Sequence, residues 1–245
     1  MERREGAVNF KDALRIGAVE LGIEIKPEVG ELFWEFFRFL RAADVRLNLT
    51  AVREEKEAAV KLFLDSLSVT RWVRLGDGER LIDVGTGAGF PGVPLAVTAP
   101  GCQVVLLEAA RKKCLFLESV VSKLRLDNVR VVWGRAEECG RMPEYRERFD
   151  WVVARGVAPF RELLEYALPF AVVGGHFVAY KGPRVGVELK EADRALELLG
   201  GRVAQQVGYR LPLTGEERVL VFIYKSRPVP SEFPRRPGVA RKRPL

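Results

Sequence analysis

The 245-residue chain has one histidine and three cysteines, and both scarcities exclude chemistry. A lone His176 cannot build a multi-histidine metal site, and it argues against Ser-His-Asp or Cys-His catalysis. It follows Gly174-Gly175 at the start of an expected strand, which points to a solvated or capping side chain. Cys102, Cys114 and Cys139 are an odd number without a C-x-x-C pair, which argues against a disulfide framework and a zinc site. No bound metal is expected. No apolar run approaches the ~20 residues of a membrane span. The charged start, Met1-Glu2-Arg3-Arg4-Glu5, leads into no signal-peptide core. The expectation is a cytoplasmic, monomeric protein without membrane contact. There is no internal repeat.

What is present suffices for one large domain, or one domain with a small appendage: 48% of residues are hydrophobic. The net charge of +7 is unevenly placed. Lys225, Arg227, Arg235, Arg236, Arg241, Lys242 and Arg243 face only Glu232 in the last stretch, and the rest of the chain is almost balanced. Such a tail reads as a phosphate-binding arm or as a solubilising terminus. Pro228, Pro230, Pro234, Pro237 and Pro244 stiffen it in either case.

Three segments are expected: a helical extension over 1–75, an α/β domain over 76–225 and a basic, proline-rich tail over 226–245. In the first, Leu14, Gly17, Ala18 and Leu21 recur at helical spacing. Pro27 opens a second helix carrying Leu32, Phe33, Phe36, Phe37 and Leu40. Val60, Phe63, Leu64 and Leu67 mark a third. From Arg80 onward strands alternate with helices, which predicts a parallel sheet. Expected strands are Leu81–Val84, Gln103–Leu107, Val129–Trp133, Asp150–Ala154, His176–Tyr180, Arg202–Val207 and Arg218–Tyr224. The last two lie close enough to form a hairpin.

The densest signal is Leu81-Ile82-Asp83-Val84-Gly85-Thr86-Gly87-Ala88-Gly89-Phe90-Pro91-Gly92. A short apolar strand runs into an acid, then into alternate glycines that let the backbone approach a ligand closely. A dehydrogenase dinucleotide loop spaces its glycines G-x-G-x-x-G. Here Gly89 comes one residue early. The pattern resembles the first motif of class I S-adenosylmethionine (SAM) methyltransferases, whose sheet is seven-stranded and Rossmann-like with an antiparallel last strand. An NAD-dependent oxidoreductase and a noncatalytic RNA-binding protein on the same fold are the alternatives.

In open α/β sheets ligands sit at the carboxyl ends of the strands. Gly85 and Gly87 would line the cofactor, with Phe90 as a pocket wall or a core contact. Glu108, ending the second strand, is placed for ribose hydroxyls, with a surface ion pair as the competing role. After the third strand Ala136 and Glu137 can read an adenine edge, or Glu137 can simply favour a helix start. Arg155, ending the fourth, can contact a methionine carboxylate or a guanine O6, or hold its own loop. The segment Ala154-Arg155-Gly156-Val157-Ala158-Pro159-Phe160 lacks the Asn/Asp-Pro-Pro-aromatic pattern of exocyclic-amine methylation. No cysteine follows Cys139 to serve as the nucleophile of pyrimidine C5 methylation. Guanine N7 fits what remains. Its lone pair is free at neutral pH, so no acid or base residue is needed, only positioning and water exclusion.

Across nearly its full length the chain resembles the bacterial small-subunit ribosomal RNA guanine-N7 methyltransferases, also called the glucose-inhibited division protein B family. The likeness rests on Asn48-Leu49-Thr50, Leu64-Asp65-Ser66, the glycine loop through Ala96, Lys112-Lys113 and Arg135-Ala136-Glu137. It continues through Phe149-Asp150, Ala154-Arg155, Tyr180-Lys181-Gly182, Pro234-Arg235-Arg236-Pro237-Gly238 and Lys242-Arg243-Pro244-Leu245. Many members carry histidine near the position of Phe63, and Asp or Ser at that of Glu108. The resemblance implies methylation of a guanine in the 530 loop of 16S rRNA within the small ribosomal subunit. It implies SAM held by Gly85, Phe90, Ala136, Glu137 and Arg155. Lys181, Arg235, Arg236, Lys242 and Arg243 are the phosphate candidates. Asn48 and the Asp65-Ser66 pair either reach the target base or bond locally.

Overall fold

The computed structural model describes residues 8–245. Helix α1 (Phe10–Leu21) begins where the Asn9 side chain accepts from the Asp12 amide, and it ends at Gly22 in the left-handed region (φ 66). Pro27 opens α2 (Pro27–Leu47) in the first turn, where a missing N–H costs nothing. Next, α3 (Glu55–Ala58) passes into a π-helical segment, Ala59–Leu64, then into α4 (Asp65–Leu67) and a 3-10 turn, Ser68–Arg71. The π turn carries an extra residue and rotates the next turn of helix about the axis. Here it buries Val60, Leu62, Phe63 and Leu64 together and swings Asp65 inward.

The sheet region then runs β1 (Arg80–Val84), α5 (Gly92–Thr98), β2 (Gln103–Glu108), α6 (Arg111–Leu124), β3 (Val129–Trp133) and α7 (Ala136–Cys139). It continues through β4 (Phe149–Arg155), α8 (Phe160–Ala167), β5 (Ala171–Lys181), α9 (Val185–Lys190), α10 (Asp193–Leu199), β6 (Gly201–Arg210), β7 (Glu217–Lys225) and α11 (Val239–Lys242). Strand order is β3-β2-β1-β4-β5-β7-β6. Strands β1 to β5 pair in parallel, and β7 runs antiparallel to both β5 and β6. The seven expected strands and the final hairpin are all there. The strand order reverses between β1 and β4, which opens a crevice at their carboxyl ends.

Alternation within each strand sorts side chains to two cores. Leu81, Leu106, Val153, Val178 and Leu220 join the core under α5, α6 and the N-terminal helices. Ile82, Val84, Leu107, Val152, Phe177 and Val221 face α8, α9 and α10. Asp83 and Arg155 keep the phase of Leu81 and Val153, so both point toward the N-terminal side of the sheet.

Two expectations need correction. Strand β5 begins at Ala171, not His176, because Gly174-Gly175 lies inside it; a Cβ on Gly175 would come within 2.9 Å of the Asp150 carbonyl oxygen. His176 is therefore a half-buried strand residue and not a cap. It stacks on Trp151 (centroids 5.0 Å apart) and meets Tyr224 edge-on, and burial lowers its pKa.

The last twenty residues are a docked strap. Arg146 donates to the carbonyls of Val229 (2.7 Å) and Phe233 (2.7 Å), and Arg141 to those of Glu232 (2.7 Å) and Pro234 (2.7 Å). Val229, Phe233 and Ala240 are buried. Even Lys225, counted with the tail charges, is fully buried against Glu147 and the Leu168 carbonyl; desolvation lowers its pKa to about 8, with Glu147 opposing.

Candidate active site

The crevice is floored by the loop after β1. Gly85 (φ 70), Gly87 (φ 62) and Gly89 (φ 98) all adopt the left-handed conformation. Their surroundings differ. A Cβ on Gly85 would meet the Val157 side chain at 2.8 Å, and one on Gly89 would meet Val93 at 2.7 Å. At Gly87 the nearest atom is the Gly85 carbonyl oxygen, 4.0 Å away. Gly89 is thus bare for packing, whereas Gly87 faces open space.

Asp83 lies beneath this loop, wholly buried. Its Oδ2 accepts from Thr86 Oγ1 (2.6 Å) and the Gly92 amide (2.7 Å), bracing the turn at both ends. Its Oδ1 has no partner; among the described residues the only other such buried side-chain atom is Thr214 Oγ1. Desolvation raises the Asp83 pKa to about 6, against the lowering effects of Thr86, Gly92 and Arg155. An unsatisfied buried carboxylate oxygen calls for a donor from a ligand or water. Sequence reasoning passed over Asp83 as a site residue, although its place before the first glycine was the available signal.

Glu108 is buried and folds back on the loops. Oε2 accepts from the Gly87 amide (3.0 Å) and Oε1 from the Ala110 amide (2.8 Å). Among the described residues no ion pair holds it; it ties β2 to the glycine turn. Glu137 is buried on α7, beside half-buried Ala136, and its Oε1 accepts from the Gly238 amide (3.1 Å). Phe90 is only 6% exposed. Its ring stacks on Phe36 (5.0 Å) and meets Phe63 (5.2 Å), so most of its surface belongs to the core; Arg155 sits 5.6 Å from its centroid.

Arg155 is held from the N-terminal side. Its Nη1 donates to Asp65 Oδ2 (2.9 Å) and to the Lys61 carbonyl (3.2 Å). The other Asp65 oxygen accepts from the Tyr209 hydroxyl (2.6 Å), and Tyr180 donates to the Ser66 carbonyl (2.7 Å). Burial raises the pKa of both tyrosines, which stay neutral donors. Asp65 and Ser66 are buried and do not reach for a base; the local role is the one the structure places.

The phosphate candidates divide. Arg236 and Lys242 are exposed, as is Asn48, which caps α2 in the left-handed region (φ 49). Lys181 is not free: its ammonium bonds Glu188 (2.8 Å) and the Ala158 carbonyl (3.0 Å). Arg235 is not free either. It makes a bidentate ion pair with fully buried Glu165, which would otherwise be an uncompensated charge in the core. No group of three or more metal-ligating side chains occurs among the described residues, and no described helix is long and apolar enough to cross a membrane.

A glycine cradle open at Gly87, an orphaned acid beneath it and acids ending β2 and opening α7 fit a ligand with cationic, ribose and adenine parts. On this sheet topology they define a class I SAM-dependent methyltransferase. Within that class, the rRNA small subunit methyltransferase G family (GidB) matches residues 30–213, and the chain belongs to it. A relative of that name from Pelotomaculum thermopropionicum is 45% identical, covering 96% of this chain and 98% of its own. One from Symbiobacterium thermophilum is 44% identical, covering 98% and 99%. A solved SAM-dependent methyltransferase from Aquifex aeolicus shares the fold at 20% identity (TM-score 0.50; 78% of this chain, 97% of that one). The oxidoreductase and noncatalytic readings fall with the family.

Proposed function

We propose that this protein, acting as a cytoplasmic monomer, methylates N7 of a guanine in the 530 loop of 16S rRNA on the small ribosomal subunit. The observation that carries the reading is the guanidinium of Arg155, fixed by Asp65 beside the glycine cradle, at a carboxyl edge where no histidine stands. SAM, when bound, supplies an electrophilic methyl on a sulfonium. Gly85 and Gly87 would admit it, the buried Asp83 carboxylate would favour its positive charge from beneath the loop it braces, and Glu108 and Glu137 would serve its ribose and adenine parts. Arg155 orients either its carboxylate or the O6 edge of the incoming guanine. Phe90 and Val157 exclude water. No residue moves a proton, since N7 already presents a lone pair. Arg236 and Lys242 would meet RNA phosphates, and a stacked target would have to be extruded into the crevice.

The test is transfer of labelled methyl from SAM to small subunits from a strain lacking the enzyme, followed by borohydride and aniline cleavage at 7-methylguanosine. Cleavage within the 530 loop is expected. Label at another atom, or at another site, would reject the assignment.

A further inference from the structure

The strap that closes the chain ends on the crevice itself. Its Gly238 amide donates to Glu137 Oε1 at 3.1 Å, across 101 positions of sequence. Glu137 is 6% exposed, and among the described residues no donor reaches its Oε2. One oxygen is thus taken by the strap, and the other is left for a ligand. The strap cannot drift. Upstream, Arg235 is clamped to Glu165 through its own amide (2.7 Å) as well as its guanidinium. Pro234 lies against Gly140, just past α7, where a Cβ would come within 3.2 Å of the proline ring. Downstream, Ala240 is buried. Gly238 itself has φ 79, the left-handed geometry that turns its N–H toward Glu137.

We propose that the C-terminal segment is a working wall of the cofactor pocket, with Gly238 as a positioning residue that sets Glu137 for adenine. This rests on the proposed adenine role of Glu137. It changes what the tail does: its bound stretch serves SAM, and only its outward cations remain for RNA.

The experiment compares full-length protein, a chain ending at Pro237, Glu137→Ala, and the truncation combined with Glu137→Ala. SAM affinity is measured by calorimetry, and KM for SAM and kcat on small subunits are measured separately. The truncation keeps the Arg235–Glu165 pair and the grip of Arg141 and Arg146, and thermal melting checks that it folds. Loss of a charge-assisted hydrogen bond should weaken SAM binding and raise its KM about tenfold, the KM being read at saturating small subunits because the truncation also removes Lys242. In the Glu137→Ala background the truncation should cost nothing further, because the two act through one contact. Arg241→Ala, outside the phosphate candidates, removes charge but keeps Gly238 and should leave SAM affinity unchanged.

Unchanged SAM affinity in a folded truncation overturns the proposal. So does an equal loss with and without Glu137. Full-length protein that fails to bind SAM would instead overturn the cofactor reading on which the proposal stands.

Discussion

Asp83 is a carboxyl buried against its own charge at the floor of the crevice. Its pKa is raised to about 6 by burial, above the ordinary 3.8. For a carboxyl shifted upward, the native state holds the proton longer than the unfolded chain does. Its contribution to stability is therefore full below about 3.8 and is lost as pH rises through about 6. Asp83→Asn removes the titration. Urea unfolding should then show wild type losing stability relative to the variant between pH 4.5 and 7. Ligand binding runs the other way. A cation in the crevice favours the ionised carboxylate, so SAM affinity should tighten from pH 5 to 7 in wild type and stay flat in Asp83→Asn. A flat wild-type profile would remove Asp83 from the site. Gly87 supplies a second test at this scale. Valine there points into space the protein leaves open, and it also strains a left-handed backbone. SAM affinity should fall by more than about tenfold, which corresponds to ~1.4 kcal/mol; undiminished affinity would mean the ligand lies elsewhere.

Among the elements, the run from α3 through the π segment to α4 does the most for its length. Without the extra residue of the π turn, Asp65 would rotate by about 100° and leave Arg155. The pair is well shielded, with Arg155 17% and Asp65 5% exposed at the side chain. Removing one partner of such a pair strands the other, here together with the Tyr209 hydroxyl. Asp65→Ala should destabilise the protein by about 3 kcal/mol and loosen Arg155. Tyr209→Phe added to it should cost little more, since that hydroxyl has already lost its acceptor. Chemical denaturation of the two single variants and the double variant gives the coupling. Additive losses would show that the three residues do not act as one unit. The strap makes the same point at the other end of the chain. A basic, proline-rich terminus reads as an arm, yet Arg141 and Arg146 bind its carbonyl oxygens and Glu165 fixes its arginine.

For the molecule as a whole, local periodicity made the sheet legible and long-range pairing hid the site. Four residues, Leu81 to Val84, apolar at all but Asp83, already read as a strand buried on both faces, and the early third glycine separates the loop from a dinucleotide turn. Arg155 with Asp65, Arg235 with Glu165 and Gly238 with Glu137 lie 90, 70 and 101 positions apart, so no window of sequence contains them. The same long reach bears on the three expected segments. Phe10 stacks on Phe37 and meets Phe63, and Phe63 and Phe36 both meet Phe90 of the glycine loop, so one aromatic chain runs from α1 to the crevice. A core shared in this way couples the helical extension to the sheet. The full chain should unfold in a single calorimetric transition whose van't Hoff and calorimetric enthalpies agree. A fragment of residues 76–225 leaves Phe90, Val93 and Leu117 without the helices that cover them, and it should fail to fold. Phe63→Ala, at the centre of the chain of rings, should cost about 3–5 kcal/mol and lower that one transition without splitting it. Two resolved transitions, or a stable SAM-binding fragment, would mean that the helices are an accessory and not part of the enzyme's core.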